Sequence, residues 1–450
     1  MDVVTLSRIQ FAVTIGYHFL FVPLSIGLGL IVVLAERRHY LSGLAEDQAA
    51  SNFWIKLFTA TFAVGVATGI AMEFAFGTNW AEYSRFVGDI FGAPLAAEAL
   101  FAFFMESTFL AILLFGRGRV SKKFFYVSTW LVWGGSMLSA LWIIIANSWM
   151  QTPAGFDIVT GATGAQAAVL TDFFAAALNP SMLPRYAHTV DATLAAGAFT
   201  AMAVSAYYLL KGKHVEFAKK SIGAALAVAA ISTLLMLPLG HWQAATVVET
   251  QPSKLAAMEG MWEDAPAPLG IIGWVDEANK TTTSIEIPGM VSFLTYWNFD
   301  TVSKGLNSFP ADEIPPVNLT YQTYHAMILL WGAMVLIVLW VWWARRKGTM
   351  ESSKALLKIM LWGPIVPMLA IQLGWATAEV GRQPWIVWQT LKTADAVSTA
   401  VPAGEVATTL VLFTLFYSLL YVAWARVVLG YIKKGPELPE AASATKGEAA

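Results

Sequence analysis

The chain has 450 residues, of which 57% are hydrophobic and 13% are charged, and its mean hydropathy is +0.59. A soluble globular chain carries about a quarter charged residues, so this composition indicates an integral membrane protein. The net charge of −2 argues against a nucleic-acid partner, and the absence of cysteine excludes disulfides, iron–sulfur clusters and thiolate-ligated haem or copper within this chain.

Nine apolar runs are each long enough to cross a bilayer, which takes about 20 mainly apolar residues. Since every spanning backbone must satisfy its own hydrogen bonds, we expect all nine to be α-helices. The first run is too long for a cleaved signal peptide and lacks a basic start, so we expect it to be retained. The runs fall near residues 12–35, 54–76, 95–115, 125–147, 188–210, 218–238, 322–344, 358–379 and 407–429.

Basic residues cluster after spans one, three, five, seven and nine, and the short intervening connections carry far fewer of them. The clusters lie at residues 37–38, 117–123, 211–220, 345–347 and 433–434. By the positive-inside rule these ends are cytoplasmic. The sequence therefore predicts an N-terminus outside the membrane and a C-terminus in the cytoplasm.

Two of the predicted outer connections are long, residues 148–187 and residues 239–321. We expect the first to be partly helical. A structureless loop as long as the second is unusual, so we expect a partly folded, functional cap. Residues 1–434 are then a single membrane domain that includes this loop, and the tail at 435–450, rich in Ala, Glu and Pro, is expected to be disordered.

The first span carries a histidine well inside its apolar run, in the segment YHFLFVPLSIG. Charge at membrane depth is costly, so an ionisable residue there, here His18, is a functional candidate. Neutral imidazole is a common ligand of haem and of metals. A core histidine bonded to a backbone carbonyl is the alternative, and the residues alone leave both open.

Two carboxylates share the third span, in EALFAFFMESTFLAIL. In an unbroken α-helix Glu98 and Glu106 lie about 80° apart around the axis and about 12 Å apart along it. Each is costly in an apolar helix unless it is protonated or partnered, so the pair suits two stations of a buried proton path. Ser139 in the fourth span could extend that path, although a lone serine in a membrane helix usually bonds to its own backbone.

A histidine and a methionine near the outer ends of spans five and seven form a candidate ligand pair. His188 lies in RYAHTVDAT and Met327 in YHAMILLW. A His/Met pair from two helices is a known way to hold a six-coordinate haem, with ordinary helix packing of Met327 as the alternative. His325 is two residues from Met327, so the two side chains point to nearly opposite helix faces and cannot both meet one iron.

The outer loop after span six carries Lys254 and Glu259, in QPSKLAAMEG. On a helix, residues five positions apart lie about 140° apart, which suits two groups that flank a bound head group. The carboxylate could accept a proton from a hydroxyl group, and the lysine could polarise an oxygen. Solvated loop charges are the alternative.

The eighth span ends in GWATAEVGRQPW, which places Glu379 and Arg382 where the helix leaves the bilayer. Ionisable groups at this depth are kept mainly where they bind, pair or relay something. The flat side chains of Trp375, Gln383 and Trp385 lie beside them in the sequence. The segment therefore predicts a buried cofactor site near the outer face.

Taken together and in order, six segments of the chain resemble subunit I of the cytochrome bd-type quinol oxidases. They are YHFLFVPLSIG, EALFAFFMESTF, ANSWMQTPAG, RYAHTVDA, QPSKLAAMEG and ATAEVGRQPW. The similarity runs from the first span to about Trp385 and, in hydropathy, through the ninth span. The loop between spans six and seven lacks the long insertion of some members, so the chain resembles the short-loop type.

The resemblance implies a nine-helix subunit that oxidises membrane quinol at the outer face and reduces dioxygen to water. Protons for water would come from the cytoplasm, which generates a proton motive force without a pump. By the same resemblance, His188 and Met327 look like the axial ligands of a low-spin haem b. His18 and Glu379 look like ligands of two high-spin haems.

Further roles follow from the resemblance alone. Glu98 belongs to the high-spin haem site, and Glu106 with Ser139 resembles the cytoplasmic proton path. The resemblance also implies that Trp375 and Arg382 lie around the haems and their propionates. It further implies that Lys254 and Glu259 form the quinol-loop pair. His325 stands where some members have an arginine beside the low-spin haem.

The family binds three haems, and its members differ in whether one of the high-spin haems is haem d or a third haem b. For this sequence, haem d and a third haem b both remain open at that position. The resemblance also implies a second membrane subunit, subunit II, often with a one-helix peptide. The implied location is the bacterial cytoplasmic (inner) membrane.

Two other classes of membrane protein were weighed against this interpretation. A haem–copper oxidase needs several neighbouring intramembrane histidines, whereas His18, His188 and His325 are the ones in or at spans here, and none are adjacent. A haem-free, proton-coupled secondary transporter would use intramembrane Glu and His, but the sequence lacks a convincing repeat and paired broken helices.

Overall fold

The computed structural model describes residues 1–162 and 164–438, and within them nine helical segments are long and apolar enough to cross a membrane. This confirms the nine predicted spans. Each segment extends beyond the apolar run that predicted it. The segments are Val3–Ser42, Ala45–Gly77, Ala81–Phe115, Lys122–Gln151, Phe173–Lys211, Val215–Thr250, Ala311–Arg346, Lys354–Val380 and Ala403–Lys434.

Several spans are built from more than one helix. The third contains a π-helix at Glu98–Phe103 between two α-helices, and the eighth is interrupted at Gly363 and Pro364. The α-helices of the described residues are α1 (Val3–Ser42), α2 (Ala45–Gly77), α3 (Ala81–Ala97), α4 (Phe104–Phe115), α5 (Lys122–Gln151), α6 (Phe173–Ala177), α7 (Met182–Lys211), α8 (Val215–Thr250), α9 (Pro252–Glu259), α10 (Met290–Tyr296), α11 (Val317–Arg346), α12 (Lys354–Trp362), α13 (Ile365–Val380) and α14 (Ala403–Lys434).

Short strands occur in the connections and pair as antiparallel two-stranded ribbons: β1 with β2, β3 with β6, β4 with β5, and β7 with β8. The β4–β5 ribbon carries a register shift between Gly270 and Ile272. The strands are β1 (Phe156–Thr160), β2 (Gln166–Leu170), β3 (Ala265–Pro266), β4 (Leu269–Asp276), β5 (Thr281–Ile287), β6 (Val302–Ser303), β7 (Trp385–Val387) and β8 (Leu391–Lys392).

Polar capping residues fix several helix ends outside the apolar runs. The carboxylate of Asp2 accepts a hydrogen bond from the backbone N–H of Thr5 at the start of α1. The hydroxyl of Ser121 caps α5 in the same way, and Gly212 closes α7 in the left-handed conformation. Counting apolar residues therefore located the spans but not their ends.

The bundle has two chemically different ends. At the basic end lie the clusters of Arg and Lys, and at the loop end lie the connections 148–187 and 239–321. The largest apolar core cluster fills the half nearer the basic end, where parts of α1, α2, α7, α8, α11 and α12 meet. In the loop-end half, by contrast, charged and amide side chains are buried between the helices.

Helices α1 and α7 make a close backbone contact where Gly27 meets Gly197. A Cβ atom on Gly27 would lie 2.2 Å from the carbonyl oxygen of Thr193 and 2.6 Å from the amide nitrogen of Gly197. Only hydrogen fits at these two positions. Small residues that bring helix backbones together are a common basis of packing in membranes, where lipid supplies no hydrophobic drive between helices.

The two outer connections fold differently from each other. Residues 148–187 were expected to be partly helical, and they contain the β1–β2 hairpin as well as the five-residue α6. In residues 239–321, α8 continues to Thr250 and is followed by α9, the β4–β5 ribbon and α10. The expected partial folding of the second connection is confirmed, and β4 packs against α11.

Most of the expected tail, 439–450 of 435–450, lies outside the described residues. The four residues that are described stay close to the bundle. Glu437 forms ion pairs with Lys56 at 3.2 Å and with Lys434 at 3.2 Å.

Candidate functional site

The carboxylate of Glu379, near the end of α13, lies in a dense polar network at the loop end. Its Oε2 forms an ion pair with Arg382, one turn further along the chain. Its Oε1 accepts hydrogen bonds from Asn147 at 3.0 Å and from Gln151 at 3.3 Å, both on α5. An ionised carboxylate offers about four acceptor positions, so three donors leave room for one further partner.

Three cations surround this one carboxylate. Arg382 and Lys254 are 4% and 2% exposed, and Arg185 on α7 interacts electrostatically with Glu379, Arg382 and Lys254. Among the charged groups found to act on this network in the described part of the chain, Glu379 is the only anion. Cations therefore outnumber anions in this network, and burying an ion costs several kcal/mol without a partner.

Two guanidinium nitrogens in the network, Nε of Arg185 and Nη1 of Arg382, are buried and have no hydrogen-bond partner among the described residues. Arginine presents its N–H donors in a planar fork that matches carboxylates and phosphates. The unpaired donors and the excess charge together indicate a site for anionic groups.

Lys254, expected on a helix in the outer loop, lies on α9 and is buried rather than solvated. Its ammonium donates to Oε1 of Gln151 at 2.6 Å and to Oε1 of Gln251 at 2.8 Å. Burial, and then the positive charge of Arg185, hold the pKa of the Lys254 ammonium well below its usual range, although Glu379 acts in the opposite direction. The alternative of a solvated loop charge is wrong for this residue.

Glu259, at the end of α9, is 3% exposed and faces a different set of partners from Lys254. Its Oε2 accepts from the backbone N–H of Gly270 at 3.1 Å and lies 3.5 Å from Nε2 of His325. Its Oε1 is buried without a hydrogen-bond partner in the described residues. Like Lys254, it is not a solvated loop charge.

His325 and Met327 face different neighbours on α11, as their spacing predicted. His325 stacks on Tyr321 with a ring separation of 4.0 Å and bonds through Nδ1 to the Tyr321 carbonyl at 2.9 Å. Met327 instead faces α13, where a Cβ atom on Gly374 would lie 2.8 Å from its sulfur. His325 thus belongs with Glu259, and Met327 with the interior of the bundle.

The tautomer of His18 is set by its partner Thr68, because the Thr68 hydroxyl has only one proton to donate. The hydroxyl of Thr68 donates to backbone carbonyls of its own helix, α2, and so it accepts from Nδ1 of His18 at 2.9 Å. Nε2 then keeps its lone pair. A histidine whose other ring nitrogen is held by a hydrogen bond is the usual form of a metal-ligating imidazole.

Each of the three predicted His and Met ligands faces a glycine on a neighbouring helix. A Cβ atom would lie 3.2 Å from His18 at Gly69, and 3.6 Å from His188 at Gly240. Met327 faces Gly374 in the same way. Where a neighbouring helix places no side chain beside a ligand, a flat group has room to approach it.

The two carboxylates of the third span lie at the start of the π-helix and in the α-helix that follows it. Glu98 begins the π-helix and accepts from the hydroxyl of Ser139 at 2.7 Å. The angle calculated for an unbroken α-helix does not hold, because a π-turn shifts the register. Glu106 is 5% exposed and packs on α5, where a Cβ atom on Gly135 would lie 2.5 Å from its Cγ.

Ser139 therefore lies beside Glu98, whereas the serine that interacts with Glu106 is Ser136. Sequence reasoning missed Ser136. It also missed Glu73 of α2, whose charge acts on Glu98. Trp375, expected beside a flat ligand, packs at a tilt on Phe11 and Phe19, with ring separations of 6.5 and 6.3 Å.

Comparison with known proteins identifies the family. The model described as cytochrome bd terminal oxidase subunit I matches residues 6–436. The chain belongs to this family. The resemblance seen in the sequence is confirmed, and both the haem–copper oxidase and the haem-free transporter are wrong as alternatives.

Individual relatives match along nearly their whole length. The chain is 41% identical to the cytochrome bd ubiquinol oxidase subunit 1 of Bacillus subtilis (strain 168), covering 97% of this chain and 95% of the relative. It is 34% identical to the cytochrome bd-II ubiquinol oxidase subunit 1 of Escherichia coli (strain K12), with 99% of each covered. The solved bd oxidase of Geobacillus thermodenitrificans matches with a TM-score of 0.89 and 30% identity, covering 97% of this chain and 99% of that chain.

The family binds haem, and the residues of the loop-end half fit that group. The free Nε2 of His18 and the glycines opposite the three predicted ligands suit iron and a flat macrocycle. Haem carries two propionate carboxylates, and the unpaired donors of Arg185 and Arg382 suit those anions. The charge excess is thus accounted for by a group that this family contains.

Sequence reasoning missed three residues of the network around Glu379, namely Asn147, Gln151 and Arg185, and it missed Thr68, the partner of His18. Two of them stand in the segment ANSWMQTPAG and one in RYAHTVDA, both of which carried the resemblance without a role for these side chains. Their polar character near the outer ends of spans four and five is the signal that could have found them.

We predict that His188→Ala and Met327→Leu each abolish the low-spin haem band in the reduced-minus-oxidised spectrum of the purified oxidase, because a six-coordinate iron needs both axial ligands. His241→Ala is the matched control, since His241 is exposed on α8 and should leave the band intact. Retention of the full low-spin band in His188→Ala would rule this ligand assignment out.

Proposed function

We propose that this subunit, in its terminal quinol oxidase, oxidises quinol at the loop end and receives the protons for dioxygen reduction from the basic end. The enzyme is a quinol:oxygen oxidoreductase, as its family establishes. The proposal concerns where each half of the reaction takes place. It also covers the residues that serve each half.

One observation supports the quinol site most directly. Within the described part of the chain, helix α9 holds a buried carboxylate with an oxygen that accepts no hydrogen bond, and a buried ammonium with one N–H that donates none. Oε1 of Glu259 has no partner in the described residues. Lys254 has three N–H donors and uses two of them on glutamine oxygens. A quinol has a hydroxyl to donate and an oxygen that can accept, so the pair offers both complementary groups.

Proton acceptance from quinol follows from the same geometry. Glu259 is held by the Gly270 amide and faces His325, so its Oε2 is fixed while its Oε1 stays open toward a substrate hydroxyl. A positioned carboxylate within reach of a hydroxyl is a general base. The ammonium of Lys254 would hold the other side of the head group.

The haem groups supply the electron transfer and the binding of dioxygen. We assign His188 and Met327 to a low-spin haem b. His18 and Glu379, with Glu98, are assigned to the two high-spin haems, of which one is haem b and the other haem d or b. Arg382 would hold haem propionates, and Trp375 would pack beside a haem. The hydrogen bond between His18 and Thr68 and the network around Glu379 support these assignments.

The proton path would begin at the basic end and pass Glu106 before Glu98. Glu106 lies between the basic end and the π-helix, and Glu98 lies further toward the loop end on the same span. Ser136 and Ser139 on α5 stand beside the two carboxylates in that order. Protons taken up at one face and released at the other generate a proton motive force without a pump.

The placement in the membrane follows from charge. Basic residues gather at one end of the bundle, so the positive-inside rule makes that end cytoplasmic and the loop end, with the N-terminus, external. Residues 1–434 act as one membrane domain in the bacterial inner membrane, with residues 239–321 as the quinol-binding loop. Subunit II, with or without a one-helix peptide, completes the enzyme.

For the quinol site, we predict that Lys254→Met raises the KM for quinol about tenfold, the effect of losing one hydrogen bond from a charged group. The measurement is quinol-dependent oxygen consumption by the purified oxidase. Lys304→Met is the control, because Lys304 is exposed in the same loop. An unchanged KM in Lys254→Met would refute the quinol assignment.

For the proton path, we predict that Glu106→Gln slows oxygen reduction roughly a hundredfold, since a general acid–base group contributes about that factor or more. Membrane-potential generation by the oxidase in vesicles should fall with it. Glu405→Gln, at the start of α14 and exposed, is the control. Unchanged turnover and potential in Glu106→Gln would show that protons take another route.

A further inference from the structure

Gln151 joins the predicted quinol site to the predicted haem site through one side chain. It is the last residue of α5 and is completely buried. Its Oε1 accepts from Lys254 at 2.6 Å and from Gln251 at 3.1 Å. Its Nε2 lies 3.3 Å from Oε1 of Glu379 and 3.3 Å from the carbonyl oxygen of Ala378.

The orientation of this amide is set by its partners. Lysine can only donate, so the oxygen of Gln151 must face Lys254. The carboxylate of Glu379 can only accept, so the nitrogen must face Glu379. Gln251 agrees with this arrangement, because its own oxygen accepts from Lys254 and its nitrogen donates to Gln151. A reversed amide would lose its bonds to both charged groups.

In the described residues Lys254 and Glu379 share no hydrogen bond or ion pair, and the amide of Gln151 supplies the hydrogen-bonded contact between them. Hydrogen bonds to charged groups are the strong ones, and in a buried site they polarise one another. A shift of Lys254 toward a substrate oxygen therefore changes the donor that Gln151 holds against Glu379.

We propose that Gln151 is a positioning residue that couples quinol binding at Lys254 to the environment of the haem-site carboxylate Glu379. This inference rests on the proposed function, because it takes Lys254 as a quinol contact and Glu379 as a haem-site residue. The hydrogen-bonded route runs through the amide, in addition to the direct charge interaction between Lys254 and Glu379. Binding of a quinol head group at the loop thereby changes the hydrogen bonding of Glu379 at the haem site.

The test is a double-mutant cycle on the purified holoenzyme with Lys254→Met and Gln151→Leu. Two quantities are measured for each form: the KM for quinol and the high-spin haem bands of the reduced-minus-oxidised spectrum. Because Lys254 also acts on Glu379 directly by its charge, Lys254→Met is expected to shift those bands in both backgrounds, and the shift is expected to be clearly larger where Gln151 is present than in the Gln151→Leu background. Coupled residues deviate from additivity in this way, whereas independent ones do not.

Two further variants separate coupling from loss of folding. Gln151→Glu keeps an acceptor for Lys254 but replaces the donor to Glu379 with a second acceptor, so it should shift the haem bands even with Lys254 in place. Gln251→Leu removes an acceptor from Lys254 without touching Glu379. It should raise the KM about tenfold and shift the bands only where Gln151 is present.

The outcomes distinguish this inference from the proposed function. If Lys254→Met leaves the KM unchanged, the quinol assignment fails and the inference fails with it. If Lys254→Met raises the KM but shifts the haem bands equally with and without Gln151, the quinol site stands and the coupling through Gln151 is refuted. If it raises the KM and shifts the bands more with Gln151 present than without it, the inference is supported.

Discussion

The loop-end half of this subunit is organised around one buried carboxylate among three cations. Glu379 pairs with Arg382, and Arg185 and Lys254 act on both of them. Apolar packing cannot stabilise such a group of charges, because each buried ion loses several kcal/mol of hydration. Such a group needs further anions to complete it, and haem propionates would supply them under the proposed assignment.

The ends of four helices converge on these charges, which explains why the outer connections are folded. Helix α5 brings Asn147 and Gln151, α9 brings Lys254, α7 brings Arg185 and α13 brings Glu379. Each of these residues lies in the first or last turns of its helix or within one short helix. The nearby ribbon β4–β5 packs on α11 and supplies the Gly270 amide to Glu259, so the loop fold and the polar network depend on each other.

The basic-end half follows a different rule. The largest apolar core cluster fills it, and α1 and α7 approach until Gly27 and Gly197 touch. This half holds the helices in register, and Glu106 enters it because Gly135 leaves space for the carboxylate side chain. Apolar packing near the basic end thus stabilises the fold, and the polar loop-end half holds the residues of the proposed chemistry.

Spans were predictable from the sequence because apolar length is a local property, and the opposite facing of His325 and Met327 followed from helix geometry. The partners of Gln151 were not predictable, since Lys254 and Glu379 are 103 and 228 positions away in the chain. The π-helix at Glu98 was missed because an apolar helix carries no local pattern for it. The hairpins were not predicted, because the prediction for the outer connections rested on their length and polarity. It did not use the alternation of polar and apolar residues along the chain.

The most direct test of this account is a cryo-EM density map of the reduced oxidase at a resolution that shows side chains and haem edges. We expect one haem iron bonded to His188 and Met327, and the other two bonded to His18 and to Glu379. We expect haem propionates against Arg382 and Arg185. Propionates held elsewhere, with Arg382 and Arg185 still lacking an anionic partner, would contradict it.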